Sequence, residues 1–328
     1  MYFRLIRPGD FPFCTRLLHP AFRVSARIRA ALPALWYRLL SAGQLNAGVV
    51  IDPGVRGAQS IVAFGMTVFV DEAFVKEHAA SPRPYLSGIV YQRLLSGDSP
   101  VLDAQEVRRD NSSGHLNLLI LHFGTCAPTP RDTRNLAAVA AAQDGFRQTH
   151  MGYRIRRVLQ EGYGSQQLAF LTAGGFLLKS DYGGYYAQAQ GAKPHAEERP
   201  FLVGLDSEDP ESRLPGTAIS SLFQAALPRL HFSPAEQRVL ARAVMDEGDD
   251  EVADALGVSD DAVKKIWRRI YERVVAVDPD LLGGATDRSG LTRGKEKRRR
   301  LIRHLRYNLE ELRPFVRPRQ AHTCIRSF

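Results

Sequence analysis

Between Phe232 and Val274 three helix signals follow one another, and together they leave this part of the chain little choice of fold. Ser233-Pro234-Ala235-Glu236 offers a serine N-cap, a proline at the first helical position, and a glutamate placed to accept from the cap's own N–H. Val239, Leu240, Ala243 and Val244 then recur at helical spacing and define one buried face. Asp249 and Asp250 open a second helix whose Val252, Ala253 and Leu256 point inward, and Gly257 suits the left-handed residue that ends it. After the turn Gly257-Val258-Ser259, the serine caps a third helix with Val263, Ile266, Trp267, Ile270 and Val274 as its buried stripe. The other side of that helix carries Lys264, Lys265, Arg268 and Arg269.

A helix, a glycine turn and a second helix with a basic outer face is an arrangement that places one helix, here about 259–273, in a major groove. The segments FSPAEQRVL and EVADALGVSDDAVKKIWRRIYERV resemble the LuxR-type helix-turn-helix in the serine cap, the glutamate after it, the run Ala253, Leu256, Gly257, Val258, Ser259 and the Val263-Lys264 pair. The resemblance implies a sequence-specific DNA-binding transcription regulator with double-stranded DNA as partner. Lys264, Lys265, Arg268 and Arg269 would then meet base edges and phosphates, and Ser259 would add a phosphate contact. Ala262 stands where the family has threonine, and Asp260 with Asp261 favours the helix dipole while opposing phosphate. Sigma-factor region four shares this helix pair, so a sigma-like role with RNA polymerase as partner stays open.

Charge sharpens the same reading. The chain has a formal net charge of +9, and Leu291 to Arg319 holds eleven Arg/Lys against three Glu. Such a cluster is the footprint of a polyanion binder. In RGKEKRRRLIRHLRYNLEELRPF, Leu301, Leu305, Leu309 and Leu312 line one side, so an amphipathic basic helix that stops at Pro314 is expected. Arg298, Arg299 and Arg300 on it would clamp the DNA backbone, with a dimer or membrane-surface helix as the alternative.

The remainder reads as a different kind of domain. Ala47 to Ile51, Ser60 to Val70 and Leu116 to Phe123 have strand composition, while Phe22 to Leu40, Tyr85 to Leu95, Thr133 to Gln148 and a stretch around Tyr153 to Gln160 read as helices. Strands and helices mix without strict alternation, which favours an α+β fold with a mixed sheet over a doubly wound parallel one. Gly, Pro and charge from Asp181 to Pro215 mark a boundary, with at most a short strand at Phe201 to Leu205. The expected organisation is an α+β sensor or dimerisation domain over 1–184, a linker over 185–220, an all-α helix-turn-helix domain over 221–282, and a basic helical extension over 283–328.

YRIRRVLQEGYG and LAFLTAGGFLLKSDY are similar to acyltransferases of the GNAT superfamily. That similarity implies a loop whose backbone amides grip coenzyme A, but around Gly162 and Gly164 its pattern is broken by Leu159. An acyltransferase joined to a DNA-targeting domain is therefore the alternative, and a non-enzymatic regulator with no catalytic residue is the first expectation. His115 and His122, seven residues apart around a strand, read as structural, Asp71-Glu72 and the run Glu106 to Asp110 as solvated element ends, and Tyr182, Tyr185 and Tyr186 as the start of the linker or, alternatively, the lining of a ligand pocket. Cys14, Cys126 and Cys324 have no CxxC or Cys/His spacing, so neither a disulfide framework nor a metal site is expected. The N-terminus has no unbroken apolar run, and no stretch of about 18 apolar residues occurs, so no membrane span is expected. A cytoplasmic homodimer answering to a small-molecule effector and holding no cofactor completes the expectation.

Overall fold

Apolar runs in the first two thirds of the chain pair into one seven-stranded sheet. The computed structural model describes residues 1–126, 133–188, 193–210, 220–223, 226–283 and 294–316. Parts of the expected linker (189–192 and 211–219), Gly284, and the tail from 317 with Arg317, Arg319 and Cys324 lie outside the described residues. The strands are β1 (Tyr2–Leu5), β2 (Asn46–Ile51), β3 (Ile61–Val70), β4 (Leu116–Thr125), β5 (Ile155–Tyr163), β6 (Leu177–Ser180) and β7 (Pro200–Asp206), in the order β1-β2-β3-β4-β5-β7-β6. All neighbours are antiparallel except β4 and β5, which run parallel. The sheet is thus mixed, as the absence of strict alternation implies.

Both faces are covered, which is why β3 and β4 are almost wholly apolar. One face packs against α1 (Phe11–Cys14), α2 (Ala26–Ser41), α3 (Glu72–Ala80) and α4 (Leu86–Ser96) through a core centred on Phe22, Trp36, Phe64, Met66 and Tyr91. The other carries α5 (Ala104–Ser113), α6 (Thr133–His150) and α7 (Gly164–Ala173). The expected helices at Tyr85 to Leu95 and Thr133 to Gln148 correspond to α4 and α6.

Two expectations are corrected here. The stretch around Tyr153 to Gln160 is not a helix but β5, hydrogen-bonded to β4 on one side and β7 on the other. Its arginines suit a helix by propensity, but in the sheet Arg157 pairs with Glu72 and Asp206, both at 2.7 Å, so pairing on two edges overrides local preference. The linker of 185–220 is also interrupted. Its Phe201 to Leu205 belongs to β7, which lies between β5 and β6 with Phe201, Leu202, Val203 and Leu205 buried. Among the described residues, α8 (Gly183–Gln188) and a short turn at Ala196–Glu198 lie between β6 and β7.

The helical unit follows the capping chemistry closely. α9 (Pro234–Ala243) starts in a capping box formed by Ser233 and Glu236. α10 (Asp249–Leu256) ends on Gly257 at φ 65°, and Ser259 accepts from the Ala262 N–H to open α11 (Asp260–Val277). The basic segment is not a separate extension. In α12 (Gly294–Tyr307) and the turn Leu309–Leu312, Leu301, Leu305, Leu309 and Leu312 share one core with Val239, Leu240, Val263, Trp267 and Ile270. Each such leucine contributes about 2 kcal/mol on burial, so the segment completes the unit rather than trailing from it. The helix also stops at Tyr307, before Pro314.

The tail then fastens the two parts together. Buried Arg313 donates to the Met151 and Gln148 carbonyls at 2.8 and 2.7 Å, just past and within the last turn of α6, and its guanidinium lies 4.7 Å from the Tyr153 ring centre. On the other side, Gln237 of α9 donates to the Arg313 carbonyl at 2.7 Å.

Candidate functional site

The single parallel pair of strands creates the site. β4 and β5 pair from Leu116 and Ile155 to Ile120 and Gln160. Beyond that point β4 continues along β3 to Thr125 while β5 continues along β7 to Tyr163, so the two strands part at their carboxyl ends. The β3–β4 register jumps where Met66 faces His122 and Thr67 faces Ile120, leaving Leu121 as a bulge at the parting. Backbone groups freed by the parting find side chains: Ser87 donates to the Leu121 carbonyl at 2.7 Å, and the Tyr163 N–H donates to Gln167 at 2.7 Å. Carboxyl ends of parallel strands where the sheet divides are where ligands enter α/β sheets.

Glu161 stands at this parting. Its carboxylate accepts from the Tyr85 N–H at 2.7 Å, the Leu86 N–H at 3.1 Å, the Tyr182 hydroxyl at 2.8 Å and the Tyr163 hydroxyl at 3.3 Å. Loss of water outweighs these donors and lifts the carboxyl to about 7. Tyr85 and Tyr182 hold left-handed backbones, at φ 67° and 56°, and both grip Glu161. Side chains rarely adopt that conformation, and a structure retains it where the surroundings enforce it, often at functional sites. His19 stacks on Tyr163 with ring centres 4.8 Å apart, and desolvation lowers its pKa. It lines a small recess of about 20 Å³ together with Ser87, His122 and Glu161.

On the opposite face a cleft of about 350 Å³ runs between the sheet and helices α6 and α7. Its lining is mostly apolar and reaches from Gln160 of β5 across β4 and β3 to Gly48 and Val50 of β2. Ile120, His122, Phe123 and Gln160 border both the cleft and the recess, so the two meet at the parting. His122 is buried and held by hydrogen bonding on the side of the sheet that carries α2 and α4. Trp36 donates to the Tyr91 hydroxyl at 2.9 Å, and that hydroxyl stands 2.8 Å from His122 Nε2. Burial holds this histidine near a pKa of about 3.

Sequence reading missed Glu161, a charged residue within a run that looks solvated, and set Tyr182 aside. Tyr182 is not a linker residue: it is buried against the sheet and bonded to Glu161. Gly162 and Gly164, searched as a cofactor loop, serve close packing instead. A side chain on Gly162 would meet the Phe201 ring, and Gly164 opens α7 at φ 76° against the Glu197 backbone. His115 is exposed ahead of β4. Asp71 caps α3 by accepting from the Phe74 N–H at 2.6 Å, and Glu72 pairs with Arg157, so these acids hold the fold rather than simply meeting solvent. Glu106 closes a capping box with Asp103.

The residues expected at DNA divide into two groups. Lys264, Lys265, Arg268 and Arg269 share the exposed side of α11, with Lys264 3.3 Å from Asp261 and Arg268 3.9 Å from Glu272. Ser259 is exposed at the start of the helix. Arg298 is turned inward, 2.7 Å from Asp249 and with its guanidinium 4.6 Å from the Trp267 ring centre. It joins α12 to α10 and α11 and is not free to clamp a backbone. Arg299 and Arg300 are exposed and pair with Glu296 at 3.0 and 3.1 Å. Among the described residues no group of three metal-binding side chains occurs, and no helix is long and apolar enough to cross a membrane.

No family model and no curated protein matches the chain. Solved structures do match the N-terminal part. A spermidine N-acetyltransferase mutant from Vibrio cholerae is 8% identical, covering 66% of this chain and 98% of its own, with a TM-score of 0.36. A polyamine N-acetyltransferase from Drosophila melanogaster is 14% identical, covering 62% of this chain and 98% of its own, at 0.30. A GNAT-like decarboxylase in complex with isobutyryl-CoA is 14% identical, covering 63% and 99%, at 0.33. The expectation of a chain that is not an enzyme is corrected: the solved structures it matches include N-acetyltransferases.

Proposed function

We propose that the α+β domain is an acyltransferase that moves an acyl group from a thioester such as acyl-CoA to an amine. The observation carrying this is Glu161 at the parting of β4 and β5, enclosed by four donors and lifted to about 7. At neutral pH such a group is about half ionised and suited to general-base work. The amine nitrogen attacks the thioester carbonyl and forms the N–C bond, the C–S bond breaks, and Glu161 takes the proton the nitrogen sheds. That proton is the one the departing thiolate requires, so the step balances without a further donor. The thioester would lie in the cleft along the seam between α6 and α7, where its apolar arm meets apolar walls.

The test is thiol release from acyl-CoA in the presence of a panel of primary amines, with Glu161→Gln as control. A loss of ~10²-fold or more, the size of a general-base contribution, is expected. Wild-type protein that binds no CoA thioester would overturn the reading.

The helical unit carries a second part of the proposal, because one side of α11 presents four cations to solvent. We read it as the DNA-targeting half of the molecule, with Ser259, Lys264, Lys265, Arg268 and Arg269 at the duplex and Arg299 and Arg300 adding exposed charge. LuxR-type membership, recruitment of RNA polymerase and self-association belong to this same reading. Genomic DNA capture at stated salt tests the first claim, and transcription with purified polymerase tests the second.

A further inference from the structure

The cleft is longer than an acetyl group needs. From Gln160 on β5 it extends past β4 and β3 to Gly48 and Val50 on β2, a distance of three strand spacings or ~14 Å. Two paired glycines lie at its far end, Gly48 opposite Gly65. They differ in what covers them. A Cβ on Gly48 would collide with the Phe3 ring at 2.0 Å, whereas one on Gly65 would meet nothing within 4 Å. Gly65 has no positive φ, so its missing side chain is not a backbone requirement. What the missing side chain leaves is open volume. The wall opposite is built low as well, with Val139 and Ala142 of α6 facing the sheet and Phe146 beyond them. A packed interior does not keep such space without cost, since unfilled apolar volume forfeits dispersion contacts.

Resting on the acyltransferase reading, we propose that the donor is a medium-chain acyl thioester, about eight carbons long, whose chain fills the lobe over Gly65. The occupant is argued from continuity. The lobe opens at Ile120, Phe123 and Gln160 onto the parting of β4 and β5, so a chain attached to a carbonyl beside Glu161 has one apolar direction in which to run. No cation lines the lobe over β2 and β3, so a chain without charge is selected, while Arg147 of α6 stands exposed at the margin of the cleft.

The experiment is calorimetric titration of the full chain with acetyl-, butyryl- and octanoyl-CoA, repeated on Gly65→Ile and on Ala142→Leu. Isoleucine is favoured in strands, and the second variant fills the lobe from the helix side, so loss of fold in one leaves the other informative. In the wild type, octanoyl-CoA should bind at least ~30-fold tighter than acetyl-CoA, a fraction of what six added methylenes yield on full burial. In a folded variant the ratio should fall to within about threefold of one, because the lobe is occupied. Equal affinity for acetyl- and octanoyl-CoA in the wild type overturns the chain-length inference and leaves the acyltransferase reading standing. Failure to bind any of the three overturns both. Free octanoate binding as tightly as octanoyl-CoA also overturns the inference, because the lobe would then be an independent effector pocket.

Discussion

Replacing Arg313 by methionine should uncouple the two halves of the molecule. The side chain is 6% exposed, so its charge has left water, and burial lowers its pKa. Against that cost stand two charge-assisted hydrogen bonds, to Met151 and Gln148, and a stacking contact on Tyr153. The bonds are worth ~1.5–3 kcal/mol each and the ring contact ~1–2, so the gross gain of ~4–8 is largely cancelled by desolvation. Truncation is not neutral, however, because it leaves two carbonyls at the end of α6 without a donor. At ~1–3 kcal/mol for each unsatisfied group, Arg313→Met should cost about 3 kcal/mol, and Arg313→Lys about half that, since an ammonium cannot span two carbonyls as a planar fork does. The chain has two tryptophans, Trp36 in α2 and Trp267 in α11, one in each half. Urea unfolding followed by fluorescence of Trp36→Phe and Trp267→Phe proteins therefore reports each half alone. With Arg313 present the two curves should coincide, and with methionine the helical half should unfold first. Curves that stay coincident, or midpoints that move by less than ~0.5 kcal/mol, would refute the coupling.

Four further outcomes follow from the site and the helical unit. The rate of acyl transfer should rise with pH and level off above about 7, the pKa of Glu161, and Glu161→Gln should abolish that limb; a limb that survives in the variant removes Glu161 as the base. The same shift has a stability consequence. The carboxyl is raised from 4.5 to about 7, so its contribution is full below about 4.5 and is lost as pH rises through about 7. Glu161→Gln should thus erase up to ~3 kcal/mol of pH dependence, measured by urea titration at pH 5 and pH 8. Arg298→Met should cost ~1–2 kcal/mol through loss of Asp249 and the Trp267 face, seen as a lower midpoint of the Trp267 signal. Lys265→Ala with Arg269→Ala should reduce the slope of log K against log salt for duplex DNA by about 2, and an unchanged slope would place the duplex elsewhere.

What was legible in the chain depended on how far apart the cooperating residues lie. Ser233 with Glu236, Gly257, and Ser259 with the Ala262 N–H act within one turn, so the start of α9, the end of α10 and the start of α11 could be read from the sequence alone. β5 could not, because its arginines are good helix formers and its pairing partners are distant: Arg157 meets Glu72, 85 positions away, and Asp206, 49 away. The short strand read at Phe201 to Leu205 is β7, but its place was not legible, since only the sheet order puts it between β5 and β6 as an interior strand.

Glu161 marks where that reasoning stops. Alone in VLQEGY it has the composition of a solvent-facing strand end, and nothing local distinguishes it. Its character comes from a helix start 76 residues earlier and a tyrosine 21 residues later, each holding a left-handed backbone to reach it. The nearest signal was the cluster Tyr182, Tyr185 and Tyr186, set aside because tyrosine beside glycine also begins linkers. Only the sheet order supplies the missing term, since a chain that runs β4 and β5 parallel and then sends each along a different neighbour must open a gap at their ends. A carboxylate at that gap is removed from water on one side and offered a cleft on the other. The helical unit was identified from its own caps, whereas the candidate catalytic centre exists only as a property of the topology.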